Sequence, residues 1–208
     1  MKRTLSTIVV LLLSGLAFAT NPLYVQEQKT THYLYSKAAI EPGMWCSATA
    51  IGKHAVLTAS HCEAPTDSLL VDRVYVTVVD RLRDGADHTI LLLKGIEFKD
   101  VATVVQRDLE IGEEFFLFGN PGRYINLFRK GVLAGSWNDP KEVPPRKVYI
   151  VDLNGYQGDS GAALFDSCGV VVGIISLRLS EEGETPMIMM GALPLQFSVE
   201  QMLRAKEF

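Results

Sequence analysis

Short apolar segments separated by polar and turn-forming residues dominate the chain from Thr31 onward. They either alternate between apolar and polar positions or stay apolar for only a few residues, and most are rich in β-branched and aromatic side chains. Glycine, proline, asparagine or aspartate bounds them, as is typical of strands joined by turns. The clearest segments are 55–57, 74–79, 89–93, 115–118, 148–151 and 170–175. This pattern predicts an all-β sandwich or barrel.

Two further features organise the chain. Residues 198–206 contain neither glycine nor proline and place Val199, Met202 and Leu203 on one side, which predicts a short C-terminal helix. Residues 107–114 are the most polar passage of the middle of the chain and are the candidate seam between two halves. We therefore expect an N-terminal unit over 20–108 and a C-terminal unit over 109–208.

Residues 1–19 have the pattern of a signal peptide. A basic start is followed by the apolar run 8–13, which is too short to span a bilayer comfortably, and the segment ends on Ala17-Phe18-Ala19. We expect cleavage after Ala19, with a short uncleaved membrane anchor as the alternative. The mature protein is then secreted or periplasmic without stable membrane insertion, in a compartment where disulfides persist.

Composition narrows the classes of function. The chain has 208 residues, of which 48% are hydrophobic, and a formal net charge of −4. This is enough apolar material for one domain or two small ones, and the acidic balance argues against a nucleic-acid partner. The three cysteines exclude a dense disulfide scaffold and, within one chain, a zinc site of four cysteines. Histidines and cysteines do not cluster at metal-ligand spacing, so no metal or organic cofactor is expected.

A serine between glycines carries the sharpest chemical signal. In Gly158-Asp159-Ser160-Gly161 the backbone can turn tightly and converge N–H groups on one oxygen, which suits a nucleophile beside an oxyanion site. A serine hydroxyl needs a neighbouring base and a group that orients the base. Among the four histidines, His61 stands out because it ends a predicted strand and precedes Cys62. A bridge from Cys62 to Cys46 would stabilise this region by about 3 kcal/mol.

These motifs resemble the trypsin/chymotrypsin-like serine proteases. Residues 57–62 (Leu-Thr-Ala-Ser-His-Cys) match the histidine motif of that family, residues 158–161 match its serine motif, and the spacing of Cys46 and Cys62 matches its histidine-loop disulfide. Residues 119–122 and 130–132 look most like the small bacterial or viral members and the heat-shock-type proteases, which often carry a PDZ domain for which this chain ends too soon. The resemblance implies two packed six-stranded antiparallel β-barrels with the cleft between them.

The resemblance also assigns catalytic roles. Ser160 would attack the peptide carbonyl, His61 would accept its proton, and the N–H groups of Gly158 and Ser160 would form the oxyanion hole. Asp87 would orient His61, because Asp87-His88-Thr89 enters an apolar strand as the family's aspartate does. Asp84 is the alternative, but the glycine after it indicates a turn. We expect His88, and likewise His32 and His54, to be surface or turn histidines.

The sequence indicates less about substrate specificity than about the catalytic residues. By resemblance, the primary pocket is lined by residues 154–157, by Ser176, Leu177 and Arg178, and by Gly191, with Asn154 and Gln157 before the serine motif. Asn154 stands where a trypsin-like enzyme has aspartate, which argues against a preference for Lys or Arg. Arg178 either narrows the pocket, attracts an acidic side chain or is solvated. The expected partner is a protein or peptide substrate, and the oligomeric state stays open.

Further expectations concern Asp159, Cys168 and an alternative function. Asp159 has no zymogen-type N-terminus to pair with in this sequence, and we expect local backbone donors to satisfy it. Cys168 lies in a predicted hairpin turn without an intrachain partner. The alternative function is an inactive relative that keeps the fold as a binding module, although no triad member is lost here.

Overall fold

The structure is a computed structural model that describes residues 21–36, 44–63, 66–122, 124–139, 146–179 and 189–208. The strands of the first half are β1 Thr31–Ser36, β2 Met44–Gly52, β3 Ala55–Ala59, β4 Ser68–Val71, β5 Val74–Arg83 and β6 His88–Lys94. Those of the second half are β7 Glu114–Gly119, β8 Leu127–Asp139, β9 Arg146–Asp152, β10 Ala163–Phe165, β11 Val171–Leu179 and β12 Met189–Leu193. Two helices, α1 Pro22–Thr30 and α2 Val199–Glu207, flank the strands. The predicted signal peptide lies outside the described residues.

Each half of the chain closes into a six-stranded antiparallel barrel. The strand order is β1-β2-β3-β6-β5-β4 in the first barrel and β10-β11-β12-β9-β8-β7 in the second. This confirms the all-β prediction of two six-stranded barrels, and each apolar segment singled out in the sequence lies largely or wholly within a strand.

Burial along the strands shows where the barrels are covered. On β5 buried and exposed residues largely alternate, as expected for a strand with one face in the core and one in solvent. All of β3 and all of β6 except its last residue are buried. Because β3 contacts β11 of the second barrel, this side of the first barrel faces the other barrel rather than solvent.

The C-terminal helix is confirmed and packs on the first barrel. Ser198 and Gln201 form a capping box at the start of α2, and the Ala205 carbonyl lies against Gly52 of β2. A Cβ at Gly52 would be 2.0 Å from that oxygen, so the close approach requires glycine. Gln201 Nε2 also donates to the Arg83 carbonyl at 2.8 Å. The end of the chain is thereby fastened to β2 and β5.

Helix α1 was not predicted. Its apolar pattern is weak, and its start depends on the Asn21 side chain, which accepts from Leu23 N at 3.1 Å, and on Pro22 in the first turn. The Tyr24 ring packs against Phe116 at 4.8 Å and Phe128 at 4.9 Å, both in the second barrel. Each terminal helix therefore packs on the barrel built by the opposite half of the chain.

The predicted environment of His88 is wrong. Its side chain is fully buried at the start of β6, and Nδ1 lies 2.6 Å from Asp84 Oδ2. Asp84 also accepts from the backbone N–H groups of Ala86 at 2.9 Å and Gln196 at 3.1 Å. Strand alternation places the His88 side chain on the face opposite Asp87, but it does not show that Gln196 and Phe197 pack on that face in the folded chain.

Candidate active site

His61 and Asp87 form a hydrogen-bonded pair at the edge of the first barrel. His61 lies in a 3₁₀ turn, Ser60–Cys62, directly after β3, and Asp87 lies directly before β6, which pairs with β3. His61 Nδ1 is 2.6 Å from Asp87 Oδ2, and the His61 backbone N–H donates to Oδ1 at 3.0 Å. Because an ionised carboxylate only accepts, Nδ1 donates and Nε2 of the neutral ring is left as the acceptor.

The environment keeps Asp87 ionised. Burial by itself would raise the pKa of the Asp87 carboxyl, but the hydrogen bonds and charge of His61, together with the charge of His88, lower the pKa below its ordinary value. The exposed fractions of the two side chains are 43% for His61 and 19% for Asp87. The imidazole is therefore open to a ligand while the carboxylate behind it is mostly covered.

The geometry separates the two candidate aspartates. Asp84 is bonded to His88 and is fully buried, whereas Asp87 is bonded to His61. The two aspartates lie three residues apart in the connection from β5 to β6. This arrangement supports the expectation that Asp87, and not Asp84, orients His61.

Ser160 lies in a tight loop between β9 and β10. Gly158 and Gly161 have φ angles of +105° and +83°, in the region that favours glycine. The N–H groups of Asp159 and Gly161 donate to Tyr156 O and Ile175 O, whereas those of Gly158 and Ser160 donate no hydrogen bond within the described residues. The two N–H groups expected to form an oxyanion hole are thus unengaged.

A buried serine on β2 connects this loop to the first barrel. Ser47 N donates to Ser160 O at 2.8 Å, and Ser47 Oγ donates to Gly158 O at 2.9 Å. Ser47 Oγ also accepts from Asn120, at 2.9 Å from its backbone N and 3.1 Å from Nδ2. The Ser47 carbonyl in turn accepts from Thr58 Oγ1 at 2.7 Å. Ser47 therefore holds the carbonyl groups of Gly158 and Ser160, the two residues that flank Asp159.

The neighbouring disulfide brings His61 towards Ser160. Cys46 and Cys62 are bonded, as predicted, and Cys62 Sγ lies 3.8 Å from the Ser160 carbonyl oxygen. A ring nitrogen of His61 lies within 4.8 Å of both sulfurs. Ser160 Oγ makes no hydrogen bond to His61 or to any other described residue, and catalytic hydrogen bonds are often formed only with substrate bound.

Asp159 is neutralised by a side chain that the sequence did not identify. Arg129 of β8 makes a two-pronged ion pair with the Asp159 carboxylate, with Nη1 at 2.7 Å from Oδ2 and Nη2 bonded to Oδ1. Tyr156 N adds a hydrogen bond at 2.8 Å. Asp159 is 1% exposed and Arg129 13%, so this is a largely buried pair. The expectation of backbone donors alone was incomplete.

The expected specificity residues surround this loop in different environments. Asn154 is exposed and its carbonyl accepts from Arg129 Nη1 at 2.9 Å, while Gln157 is exposed and its carbonyl accepts from Gly122 N at 2.9 Å. Ser176 is buried at an irregularity of β11, and its hydroxyl lacks a partner within the described residues. Gly191 pairs with Ile150 and Leu177. The side chains of Leu177 and Arg178 are outside the described part of the structure.

One cluster of potential metal ligands lies at His61. The described residues whose ligand atoms could converge on a metal are Cys46, His61 and Cys62. Both sulfurs are in the disulfide, so neither can act as the thiolate that binds zinc. The free Cys168 is exposed in the β10–β11 connection, in the predicted hairpin turn.

The comparisons define the class of protein. A family model described as the trypsin-like peptidase domain matches residues 46–174, more than half of the chain. The chain therefore belongs to the trypsin-like peptidase family, a family of serine endopeptidases, as the sequence motifs predicted. Protease Do-like 5, chloroplastic, of Arabidopsis thaliana is 28% identical over 104 residues, which are 47% of this chain and 32% of that protein. The chain thus spans about a third of the length of this curated relative.

Solved structures agree on the fold. The active form of the Rv3671c protease from M. tuberculosis superposes with a TM-score of 0.70 at 20% identity, over 99% of this chain and 93% of that one. The HtrA-type protease AlgW with tripeptide gives 0.66 at 19% identity, over 88% and 60%. The serine endoprotease from Yersinia pestis gives 0.62 at 21% identity, over 84% and 61%. These likenesses establish the chymotrypsin-like fold.

Two observations bear on location. The Cys46–Cys62 disulfide and the bacterial HtrA-type neighbours are compatible with an extracellular or periplasmic protein. Neither helix in the described ranges is long and apolar enough to cross a membrane.

Replacing Arg129 by Met is expected to destabilise the protein by about 3 kcal/mol or more, because Asp159 is left as an uncompensated buried charge. Urea unfolding measures this loss. Adding Asp159→Asn to Arg129→Met is expected to recover part of the loss. The matched control is Lys130→Met, which removes the exposed pair with Glu114 and is expected to cost about 1 kcal/mol or less. Equal effects of the two single substitutions would contradict this account.

Replacing Ser47 by Ala is expected to cost about 1–3 kcal/mol, because it leaves Gly158 O and Asn120 N buried without their partner. The same variant should lower kcat for a chromogenic substrate more than it changes KM, since the loop that carries Ser160 loses a hydrogen bond to β2. Thr49→Val is the control: Thr49 lies two residues further along β2, and its buried hydroxyl has no partner within the described residues. An unfolding free energy unchanged by Ser47→Ala would rule out the anchoring role.

Proposed function

We propose that this chain is a secreted or periplasmic serine endopeptidase that hydrolyses peptide bonds through Ser160, His61 and Asp87. The observation that carries the proposal is the His61–Asp87 pair, whose tautomer leaves Nε2 free to accept a proton beside the serine loop. The family membership supports the reaction class. The signal-peptide pattern of residues 1–19 supports the export.

The proposed mechanism assigns a function to each of these residues. Ser160 Oγ attacks the carbonyl carbon of the scissile bond while His61 Nε2 takes its proton, and Asp87 stabilises the imidazolium that forms. The negative charge that develops on the carbonyl oxygen is stabilised by the N–H groups of Gly158 and Ser160, each such donor contributing on the order of 3 kcal/mol. His61 then donates the proton to the leaving amine, and water releases the acyl group from Ser160.

The internal ion pair of Asp159 supports an active loop conformation without processing. In zymogen-type members of the family the equivalent aspartate pairs with a newly formed N-terminus. Here Arg129 supplies the cation from within the second barrel. We infer that activation of this protein does not need a new N-terminal ammonium group at Asp159.

Labelling with a fluorophosphonate probe tests the proposal. The folded wild-type protein should be labelled on Ser160, Ser160→Ala should abolish labelling, and His61→Ala should reduce its rate strongly, because the hydroxyl then has no base. Circular dichroism confirms that each variant is folded. Folded wild-type protein that takes up no label would instead favour the alternative of an inactive, chymotrypsin-fold binding module.

The neighbouring aspartates provide a matched pair of variants. Asp87→Asn should lower kcat by orders of magnitude, since the amide favours the wrong tautomer of His61. Asp84→Asn should leave kcat within a few-fold of wild type, because Asp84 contacts His88 rather than His61. Steady-state hydrolysis of a chromogenic substrate at several pH values measures both. The reverse order of effects would assign the orienting role to Asp84.

A further inference from the structure

A groove lined by aromatic side chains lies on the first barrel and is not used in the mechanism above. Its cavity volume is about 420 Å³, within the usual range for a ligand-binding pocket. Trp45 forms the wall between two tyrosines, with ring centroids 4.8 Å from Tyr33 and 4.9 Å from Tyr35. Leu70 and Ile125 add apolar surface. We call this the aromatic groove.

The aromatic groove opens beside the candidate catalytic loop. Trp45 directly precedes Cys46, and Gly122 lines the groove on the side of the second barrel. Gly122 N donates to the carbonyl of Gln157, the residue before the oxyanion glycine. A Cβ at Gly158 would lie 3.0 Å from Gly122 N, so the two glycines are in close contact. A chain bound at Ser160 can therefore continue into the groove.

A strained turn places the Arg73 side chain at the aromatic groove. Strands β4 and β5 are joined by Asp72 and Arg73 alone, and both have positive φ, +48° and +70°. This conformation favours glycine or asparagine and is costly for arginine. Such strain persists where the surrounding structure holds it, and it is concentrated at functional sites. Arg73 lines the aromatic groove as a result.

Asp72 holds the turn in this conformation. Its Oδ2 is 2.6 Å from His32 Nδ1, its Oδ1 accepts from Tyr33 N at 2.9 Å, and its own N donates to Tyr33 O at 3.0 Å. Burial by itself would raise the pKa of Asp72, but the hydrogen bonds from His32 and Tyr33 lower it, so the carboxylate stays charged. Both carboxylate oxygens of Asp72 are thus bonded to β1, and Asp72 does not form an ion pair with Arg73.

Arg73 has no counter-ion in the described part of the chain. It is exposed, and no described carboxylate lies within ion-pair distance. The nearby Tyr33 hydroxyl stays neutral, because burial and the charge of Tyr35 raise its pKa to about 12 against the opposing effect of Arg73. Among the residues that the structure describes, the groove therefore combines an apolar wall with the positive charge of Arg73, which none of them pairs.

We propose that the aromatic groove binds the part of the substrate chain that follows the scissile bond, with an apolar side chain against Trp45 and a carboxylate on Arg73. The inference rests on the proposed function and adds a substrate class to it. The leaving amine must lie beside His61, which protonates it, and His61 is joined to Trp45 through the adjacent Cys46–Cys62 disulfide. The expected acyl-side residues 154–157 and 176–178 belong to the other barrel.

Peptides that differ only after the scissile bond test the groove. Two quenched fluorescent peptides have the same residues before the scissile bond and the same apolar residue, leucine or phenylalanine, directly after it. The next residue is Glu in one peptide and Lys in the other. Wild-type protein should cleave the Glu peptide with a kcat/KM about threefold to tenfold higher. Arg73→Gln should abolish the preference and Arg73→Glu should invert it. Lys206→Glu, an exposed charge change on α2, should retain the wild-type preference.

Trp45→Ala tests the apolar wall. It should lower kcat/KM for peptides with an apolar residue after the bond and should leave a chromogenic substrate that has no leaving-side residues unaffected, because that substrate does not reach the groove.

Fluorophosphonate labelling separates the two levels of failure, since the probe carries no residues on the leaving side. If wild type and Arg73→Glu are labelled at the same rate but show the same preference between the Glu peptide and the Lys peptide, the groove assignment is wrong and the proposed function stands. If the folded wild type is not labelled, the proposed function fails, and this inference fails with it.

Discussion

The contact between β2 and the serine loop is the constraint on which the rest of the site depends. Ser47 holds the carbonyls of Gly158 and Ser160, and the adjacent disulfide holds the turn that carries His61. The proposed nucleophile, Ser160, and the proposed base, His61, are on different barrels, so their relative position is only as fixed as this contact. A displacement of about 1 Å between reacting groups is enough to lower a rate by orders of magnitude. Burial of the contact protects its hydrogen bonds from competition with water.

The charged side chains around the site form separate ion pairs. Arg129 neutralises Asp159 behind the loop, and the buried Asp84–His88 pair ties the β5–β6 connection to the segment before α2. Such pairs add little net stability compared with apolar packing, but removing one partner is costly. Their effect is therefore to make other arrangements of the serine loop and of the segment before α2 unfavourable. The imidazole of His61, by contrast, is 43% exposed.

The surface next to the site is organised by the same strands. Strand β1 supplies the tyrosines of the aromatic groove and also the groups that hold the strained Asp72–Arg73 turn. Strand β2 supplies Trp45, the disulfide cysteine and Ser47 in three consecutive positions. A chain bound in the proposed groove would therefore contact the same short segment of backbone that positions the proposed catalytic groups.

Local periodicity in the sequence by itself determined the all-β class, most strand positions and the C-terminal helix. The two-barrel architecture, the Cys46–Cys62 disulfide and the candidates His61, Asp87 and Ser160 followed from contiguous motifs that resemble a known protease family. Helix α1 was missed because its stability comes from packing Tyr24 on the second barrel rather than from its own pattern. Ser47, Arg129 and the buried state of His88 were decided only by the tertiary structure. Ser47 acts on residues more than a hundred positions away, and no local pattern in a single sequence records which distant donor meets which buried acceptor once two barrels have packed.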